Sequence, residues 1–264
     1  MDAKRLVTCV IGDGLGNRLF QIAALLGYVE RHGGQAVFVK ELVKANAAQP
    51  GGERVCDYFP DIPTISGDDV VWTELREEFV DAMTYRPLPF VFGNVKLCGA
   101  FQSERYFPSG GMRLAGVVPQ VLRIGVPTVF LHVRRGDYLH PFNQHHYVDL
   151  RGYYERALSL FSEAYVVVCS DDLEWCKAVL PSRYPEVSAD KWIWFSGDEY
   201  ATLSAMMGCT LGGICANSTF SWWGAYLGRG VDKLVTMPSL WIQLRAGFPK
   251  AVDIYPAWAE RVSV

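Results

Sequence analysis

The run Leu6-Val7-Thr8-Cys9-Val10-Ile11, followed by Gly12-Asp13-Gly14-Leu15-Gly16-Asn17, decides the fold class. Six apolar-leaning residues without alternation suit a strand buried on both faces, as in a parallel sheet. The glycines that follow permit a tight turn. Leu19, Ile22, Ala23, Leu26 and Val29 then recur at helical spacing, and Gly33-Gly34 ends the helix. A second strand is predicted over 35–39. Strand, helix, strand in this order is a βαβ unit, which requires a crossover and hence parallel pairing.

The same rhythm returns in the second half. Strands are predicted over 128–133, 165–169, 192–195 and 233–237, with helices over 153–162, 173–180, 199–207 and 219–227. Between the halves, residues 44–95 are punctuated by Gly, Pro and Asp, and irregular structure with short helices is expected there. Gly110-Gly111, Gly116, Pro119, Gly125 and Pro127 mark 110–127 as a crossover between lobes. The expected architecture is α/β, two Rossmann-like lobes with parallel sheets facing a cleft. The expected boundary gives an N-terminal lobe of 1–120 and a C-terminal lobe of 121–264.

Composition narrows the function classes. In 264 residues, Lys+Arg number 25 and Asp+Glu 28, a formal net charge of -3, which argues against a nucleic-acid coat. Seven cysteines are scattered with no C-x-x-C pair, against a zinc site of usual spacing and in favour of a reducing compartment. Residues 1–5 lead into a strand-length apolar run rather than a signal peptide. Residues 200–228 carry no charge, which raises a membrane span, but Ala216-Asn217-Ser218-Thr219-Phe220-Ser221 would be costly in hydrocarbon. The expectation is a soluble cytoplasmic protein without stable membrane insertion. Asp-x-Asp, His-Glu-x-x-His and Gly-x-Ser-x-Gly are absent, so the chemistry falls to cationic side chains and helix N-termini.

Four motifs lie at strand ends or helix starts, where open parallel sheets bind ligands. The glycine loop 12–17 suits either a phosphate-approaching turn or a turn that simply needs Gly. His132-Val133-Arg134-Arg135-Gly136-Asp137-Tyr138 places two guanidinium forks after a strand, one expected to face an anion and one to support structure. His132, inside an apolar strand, reads more readily as a core residue than as a base. Ser170-Asp171-Asp172 reads as N-caps or as a carboxylate accepting from a purine or ribose. Asn217-Ser218-Thr219-Phe220-Ser221-Trp222-Trp223-Gly224 puts hydroxyls at a helix start, an arrangement that holds anions. Asn217-Ser218-Thr219 is also a glycosylation triplet, discounted because its flanks read as buried. Trp222 and Trp223 read as core.

Together these motifs resemble the α-1,2-fucosyltransferases of glycosyltransferase family 11. Residues 132–138 match that family's His-x-Arg-Arg-Gly-Asp-Tyr signature in full. The segments at 13–18, 98–107, 170–176 and 217–224 match further blocks in order. The resemblance implies a GT-B fold, GDP-fucose as donor substrate, inversion at the sugar carbon, and no cofactor or metal. Its partners are a nucleotide sugar and a glycan acceptor, with transfer to the 2-hydroxyl of a galactose-like unit. Carried across, Arg134 contacts the β-phosphate and stabilises departing GDP, and Asn17 lies near the donor phosphates and reacting centre. Asp171 or Asp172 reads guanine or ribose, and Asn217, Ser218, Thr219, Phe220 and Ser221 hold the diphosphate. Gly14, Gly16, His132, Arg135 and Ser170 complete the donor-binding set. Asp137 joins Arg134 and Asn17 as a catalytic candidate, although the general base stays open between it and Asp13. Two residues depart from the family: Asp13 replaces Gly beside the presumed phosphate loop, and Arg18 replaces Gln on the acceptor side. Membrane-anchored animal members have an anchor not seen here.

Three other readings compete. The same fold with another GDP- or UDP-sugar is separated by a nucleotide titration. A lectin-like module that kept the cleft but lost turnover draws support from Asp13. A dinucleotide-dependent reductase rests on the glycine loop alone, with Lys40-Glu41 a loose fit for the ribose-binding acid.

Overall fold

The computed structural model describes residues 5–44, 52–116, 125–243, 247 and 249–264. Residues 1–4, the expected domain boundary at 120/121 and part of the expected crossover lie outside these. The chain packs as two compact units, Met1–Gly116 with Arg245–Pro256, and Val117–Leu244 with Ala257–Val264. Among the described residues, every strand pairing in both is parallel. The chain is therefore α/β with parallel sheets, as the βαβ rhythm requires.

In the first unit, β1 (Leu6–Cys9) leads into α1 (Leu15–His32). Gly33 caps α1 at φ 72°, its amide donating to the Val29 carbonyl at 2.8 Å. Arg31 and His32 in the last turn favour the helix dipole's negative end. At Gly27 a Cβ would meet the Tyr106 carbonyl oxygen at 1.9 Å, so glycine lets the 104–107 turn lie against the helix.

The strand expected over 35–39 is broken into β2 (Gln35–Ala36) and β3 (Phe38–Val39). β2 pairs with β1, whereas β3 pairs with β4 (Thr64–Ile65). The expectation of irregular structure over 44–95 is corrected: besides short 3-10 turns and β4, it contains β5 (Trp72–Arg76) and the start of β6 (Asn94–Cys98). β5 is an edge strand whose Glu74 pairs with Arg76 and with Lys96, each at 2.6 Å. Its charges hide its strand character, and they also guard an edge against foreign pairing. The sheet order is β2-β1-β6-β5.

The second unit holds β7 (Thr128–Val133), α2 (Arg151–Ser159), β8 (Tyr165–Ser170), α3 (Leu173–Arg183), β9 (Trp192–Phe195), α4 (Glu199–Gly208), β10 (Gly212–Ile214), α5 (Thr219–Gly228), β11 (Leu234–Pro238) and β12 (Glu260–Val262). Val129, Leu131, Val166, Val168 and Ile214 bury one sheet face with Tyr153, Ala157 and Leu158 of α2 and Leu180 of α3. The six strands run β12-β11-β10-β7-β8-β9. Winding starts at β7, proceeds outward to β9, then returns to the other side of β7 at β10. That reversal is a topological switch point, and the carboxyl ends of β7 and β10 border it.

The uncharged stretch 200–228 divides into α4, β10 and α5. Among the described residues, no helix is long and apolar enough to cross a membrane. The bounds of β10 escape sequence reading because it is mostly glycine. At Gly213 a Cβ would lie 2.0 Å from the Phe130 ring, and at Gly212 (φ 119°) it would lie 1.9 Å from the Leu234 carbonyl oxygen. Trp222 and Trp223 are both fully buried, as expected for core. All seven cysteines are free thiols, six of them buried.

Candidate functional site

In the second unit three of the sequence motifs converge at the switch point. β7 is buried along its length and delivers Arg134 and Arg135 at its end. Arg134 Nη2 reaches Asp137 Oδ1 at 2.5 Å, and its Nη1 reaches Asp171 Oδ2 at 2.9 Å. Arg135 turns elsewhere: its Nε donates to Asp172 Oδ2 at 3.0 Å, and its guanidinium lies 3.7 Å from the Trp175 ring centroid. The two arginines thus have separate settings, with Arg134 among carboxylates of two loops and Arg135 clamped to the start of α3.

Asp171 and Asp172 are both engaged within the chain. Asp171 Oδ1 accepts the Arg135 amide at 2.9 Å. Asp172 caps α3, its Oδ1 accepting the Trp175 amide at 3.2 Å, while the Ser170 hydroxyl accepts the Asp172 amide at 3.0 Å. The capping alternative for Ser170-Asp171-Asp172 is therefore realised at Asp172 and Ser170. Gly136 is explained by the same carboxylates: a Cβ there would lie 2.5 Å from Asp171 Oδ2. A side chain at this position would push away the acid that holds Arg134.

His132 is 4% exposed, and its Nδ1 has no hydrogen-bond partner among the described residues. Burial, with the Arg134 charge adding to it, pushes its pKa down to about 3, so the ring is neutral. The Tyr154 hydroxyl donates to the His132 carbonyl at 2.9 Å, and the ring sits 5.7 Å from that of Phe220. The core reading of His132 holds, with its ring against the α5 motif.

Residues 217–221 form the other wall. Asn217 is 3% exposed, and its Nδ2 donates to the His146 and Trp241 carbonyls at 2.7 and 2.9 Å. Its amide is thereby occupied, and the glycosylation triplet is structural. The Tyr138 hydroxyl donates to the Asn217 carbonyl at 3.0 Å, joining the loop after β7 to the loop after β10. Ser218 caps α5 by accepting the Phe220 amide at 3.3 Å. Ser221 is fully buried, its hydroxyl directed to the Ala216 and Ser218 carbonyls. Thr219 and Phe220 are half-buried at the helix start. The first turn of α5 has no acidic residue, so its dipole and amides favour an anion.

The glycine loop and Asn17 belong to the first unit, at the switch point between β1 and β6. Gly14 is the N-cap of α1 without a side-chain cap, and Gly16 is buried in its first turn. The left-handed backbone of this loop falls at Asp13, with φ 64°. Aspartate tolerates that conformation better than most residues. The two departures from the family pattern are coupled: Arg18 is fully buried, and its Nε donates to the Asp13 carbonyl while Nη2 donates to that of Lys44, both at 2.8 Å. Arg18 clasps the loop from within. Asn17 Oδ1 accepts from Gln102 Nε2 at 2.9 Å, which ties the 98–107 segment to the first turn of α1.

Sequence reading missed the supports. Tyr138, Tyr154 and Trp175 each hold a site residue, yet they read as ordinary aromatics. A tyrosine within five residues of a motif arginine was the available signal for Tyr138, and for Trp175 it was the place three residues after Asp172. Tyr154 had none.

Comparison with known proteins supplies a further finding. Residues 122–241 match the profile described as Glycosyl transferase family 11. The chain is 35% identical over 143 residues to the O-antigen biosynthesis glycosyltransferase WbnK of Escherichia coli, covering 50% of this chain and 43% of that protein. It is 28% identical over 173 residues to an alpha-1,2-colitosyltransferase of Escherichia coli, covering 57% of each. The galactoside 2-alpha-L-fucosyltransferase Sec1 of Mus musculus is 34% identical over 127 residues, 46% of this chain and 32% of that one. The chain thus spans about half the length of the curated relatives it matches. Among solved structures, fucosyltransferase NodZ from Bradyrhizobium superposes with a TM-score of 0.47 at 15% identity, covering 85% of this chain and 94% of that one.

Proposed function

We propose that this chain, whose residues 122–241 match the profile of glycosyl transferase family 11, transfers L-fucose from GDP-fucose to a hydroxyl of a glycan acceptor, with inversion and without a catalytic metal. The observation that carries the reading is the Tyr138–Asn217 hydrogen bond, which joins the loop bearing Arg134 to the Ser218-capped start of α5, a helix with no acidic residue in its first turn. An acceptor hydroxyl attacks the anomeric carbon as the bond to the diphosphate breaks. Negative charge grows on the departing β-phosphate. A guanidinium and helix amides aimed there stabilise that charge more in the transition state than in the bound donor. Asp137 and Asp171 hold the Arg134 fork so that it need not reorganise as charge develops. In this reading the first unit serves the acceptor, with Asn17 near the reacting centre.

The test is transfer itself: GDP release and a fucosylated product when GDP-fucose meets a terminal galactoside, with linkage read by NMR. Arg134→Ala should fold normally and lose about 10²–10³-fold in turnover. Wild-type turnover in that variant refutes the role of Arg134.

A second reading keeps the reaction and changes the sugar. It is favoured by the 28% identical relative that is named for colitosyl rather than fucosyl transfer. A thermal-shift panel of nucleotides and nucleotide sugars separates the two, and preference for a uridine nucleotide excludes the GDP-fucose reading.

A further inference from the structure

Glu77 follows β5, and its carboxylate turns inward to the loop after β6. Its Oε2 accepts the amides of Ala100 and Phe101 at 2.8 and 2.7 Å. Its Oε1 is shut off from solvent and has no partner within hydrogen-bond distance among the described residues. Gly99 makes the approach possible, because a Cβ there would lie 2.5 Å from Glu77 Cβ and 2.9 Å from Oε2. The segment so held is strained. Phe101 adopts φ 50°, rare for a bulky residue, and is fully buried. The next residue is Gln102, whose Nε2 donates to Asn17 Oδ1 at 2.9 Å. A buried acid, a backbone in a costly conformation and a side-chain amide are thus linked in series to Asn17.

We propose that Glu77 is a positioning residue for Asn17: its ionised carboxylate holds Ala100 and Phe101 in the strained turn, and the turn in turn holds Gln102 against Asn17. This rests on the reading that Asn17 lies near the reacting centre. The chemistry favours a charged acceptor. Two amides on one oxygen are bound strongly by a carboxylate and weakly by a neutral acid. Protonation removes that hold, and the strain at Phe101 then opposes the turn. The acid titrates in a useful range, since burial pushes its pKa up to about 7 against the lowering effect of the two amides. The other groups that face it are Asp81, which raises it further and is itself paired with Arg86 at 2.6 Å, and the Tyr106 hydroxyl, which lowers it.

The test follows the amides of Ala100 and Phe101 and the side-chain carboxamide of Asn17 by NMR through pH 5.5–8.5, with GDP-fucose transfer measured over the same range. All three signals should titrate with one midpoint, and kcat should fall tenfold per pH unit below it while the donor KM changes little. Glu77→Gln should abolish the titration at all three positions and flatten the acid limb of kcat. Glu77→Asp keeps the charge but withdraws it, and should displace the Asn17 signal at every pH. The inference is overturned if Asn17 does not titrate with Phe101, or if its titration survives in Glu77→Gln. If the three signals titrate together but no sugar transfer occurs with any donor, the functional reading fails and the positioning chain stands.

Discussion

Replacing Gly136 with alanine isolates the packing that aims Arg134. A Cβ at this position would lie 2.5 Å from Asp171 Oδ2 and 3.2 Å from its carboxyl carbon. To reach ordinary contact at 3.4 Å, the carboxylate must retreat by roughly 0.9 Å. Asp171 makes two bonds of 2.9 Å, to Arg134 Nη1 and to the Arg135 amide, and that retreat takes both beyond useful length. Hydrogen bonds to charged groups are worth about 1.5–3 kcal/mol each. Asp171 and Arg134 side chains are 24% and 23% exposed, so solvent screens part of this. The φ of Gly136 is not left-handed, and alanine gains about 0.4–1 kcal/mol from the unfolded chain. The net expected loss is about 1–3 kcal/mol, read from urea unfolding, with GDP binding weakened about tenfold by calorimetry. The decisive control is the same substitution in an Asp171→Ala background, where no carboxylate remains to be displaced. There Gly136→Ala should be neutral or slightly stabilising. An equal cost in both backgrounds refutes the reasoning, because the penalty would not then pass through Asp171.

Arg135→Ala should cost about 1–2 kcal/mol in urea unfolding by losing Trp175 and Asp172, yet weaken GDP binding less than Arg134→Ala does; the reverse order of affinities would exchange the roles of the two arginines. His132 has a folded-state pKa near 3 against 6.5 when unfolded. The unfolded chain therefore takes the proton first, and stability present above pH 6.5 is lost as pH falls toward 3, on the order of 5 kcal/mol in all. His132→Leu should flatten that acid limb in unfolding curves taken from pH 7 to 4, and an unchanged limb would assign acid sensitivity elsewhere. Gly213→Ala should cost at least about 1–3 kcal/mol by overpacking against Phe130, checked by the urea midpoint; a midpoint at the wild-type value would mean the ring moves freely.

Much of the second unit is legible along the chain. β7 and β8 are continuous apolar runs that end in charged or capping residues, so the strand and its functional end announce each other. α5 is legible because Ser218 caps an apolar helix. β5 is not, because its exposed charges serve an edge, and the bounds of β10 are not, because its glycines answer to Phe130 and Leu234, which are distant in sequence. The break between β2 and β3 likewise depends on β4, some 25 residues further on.

The candidate site divides in the same way. Arg134, Arg135, Asp171, Asp172 and Ser218 are visible as residue types at strand ends and helix starts, since local backbone geometry dictates those places. Their pairing is not visible. Arg134 and Asp171 are 37 positions apart, and only parallel pairing of β7 with β8 brings their ends together. The return of the chain from β9 to β10 beside β7 creates the switch point, and no local signal encodes strand order. Arg18, which reads as a substitution on the acceptor side, proves to be buried and bonded to the loop's own carbonyls. Glu77 lies in a stretch that reads as irregular, and only the approach of the loop after β6 turns it into a buried acid. Apolar period and turn chemistry are properties of neighbours in sequence, and they determine the α/β class and the ends where ligands bind. Burial, ion pairing and the strain at Phe101 are properties of neighbours in space, and the tertiary structure alone decides them.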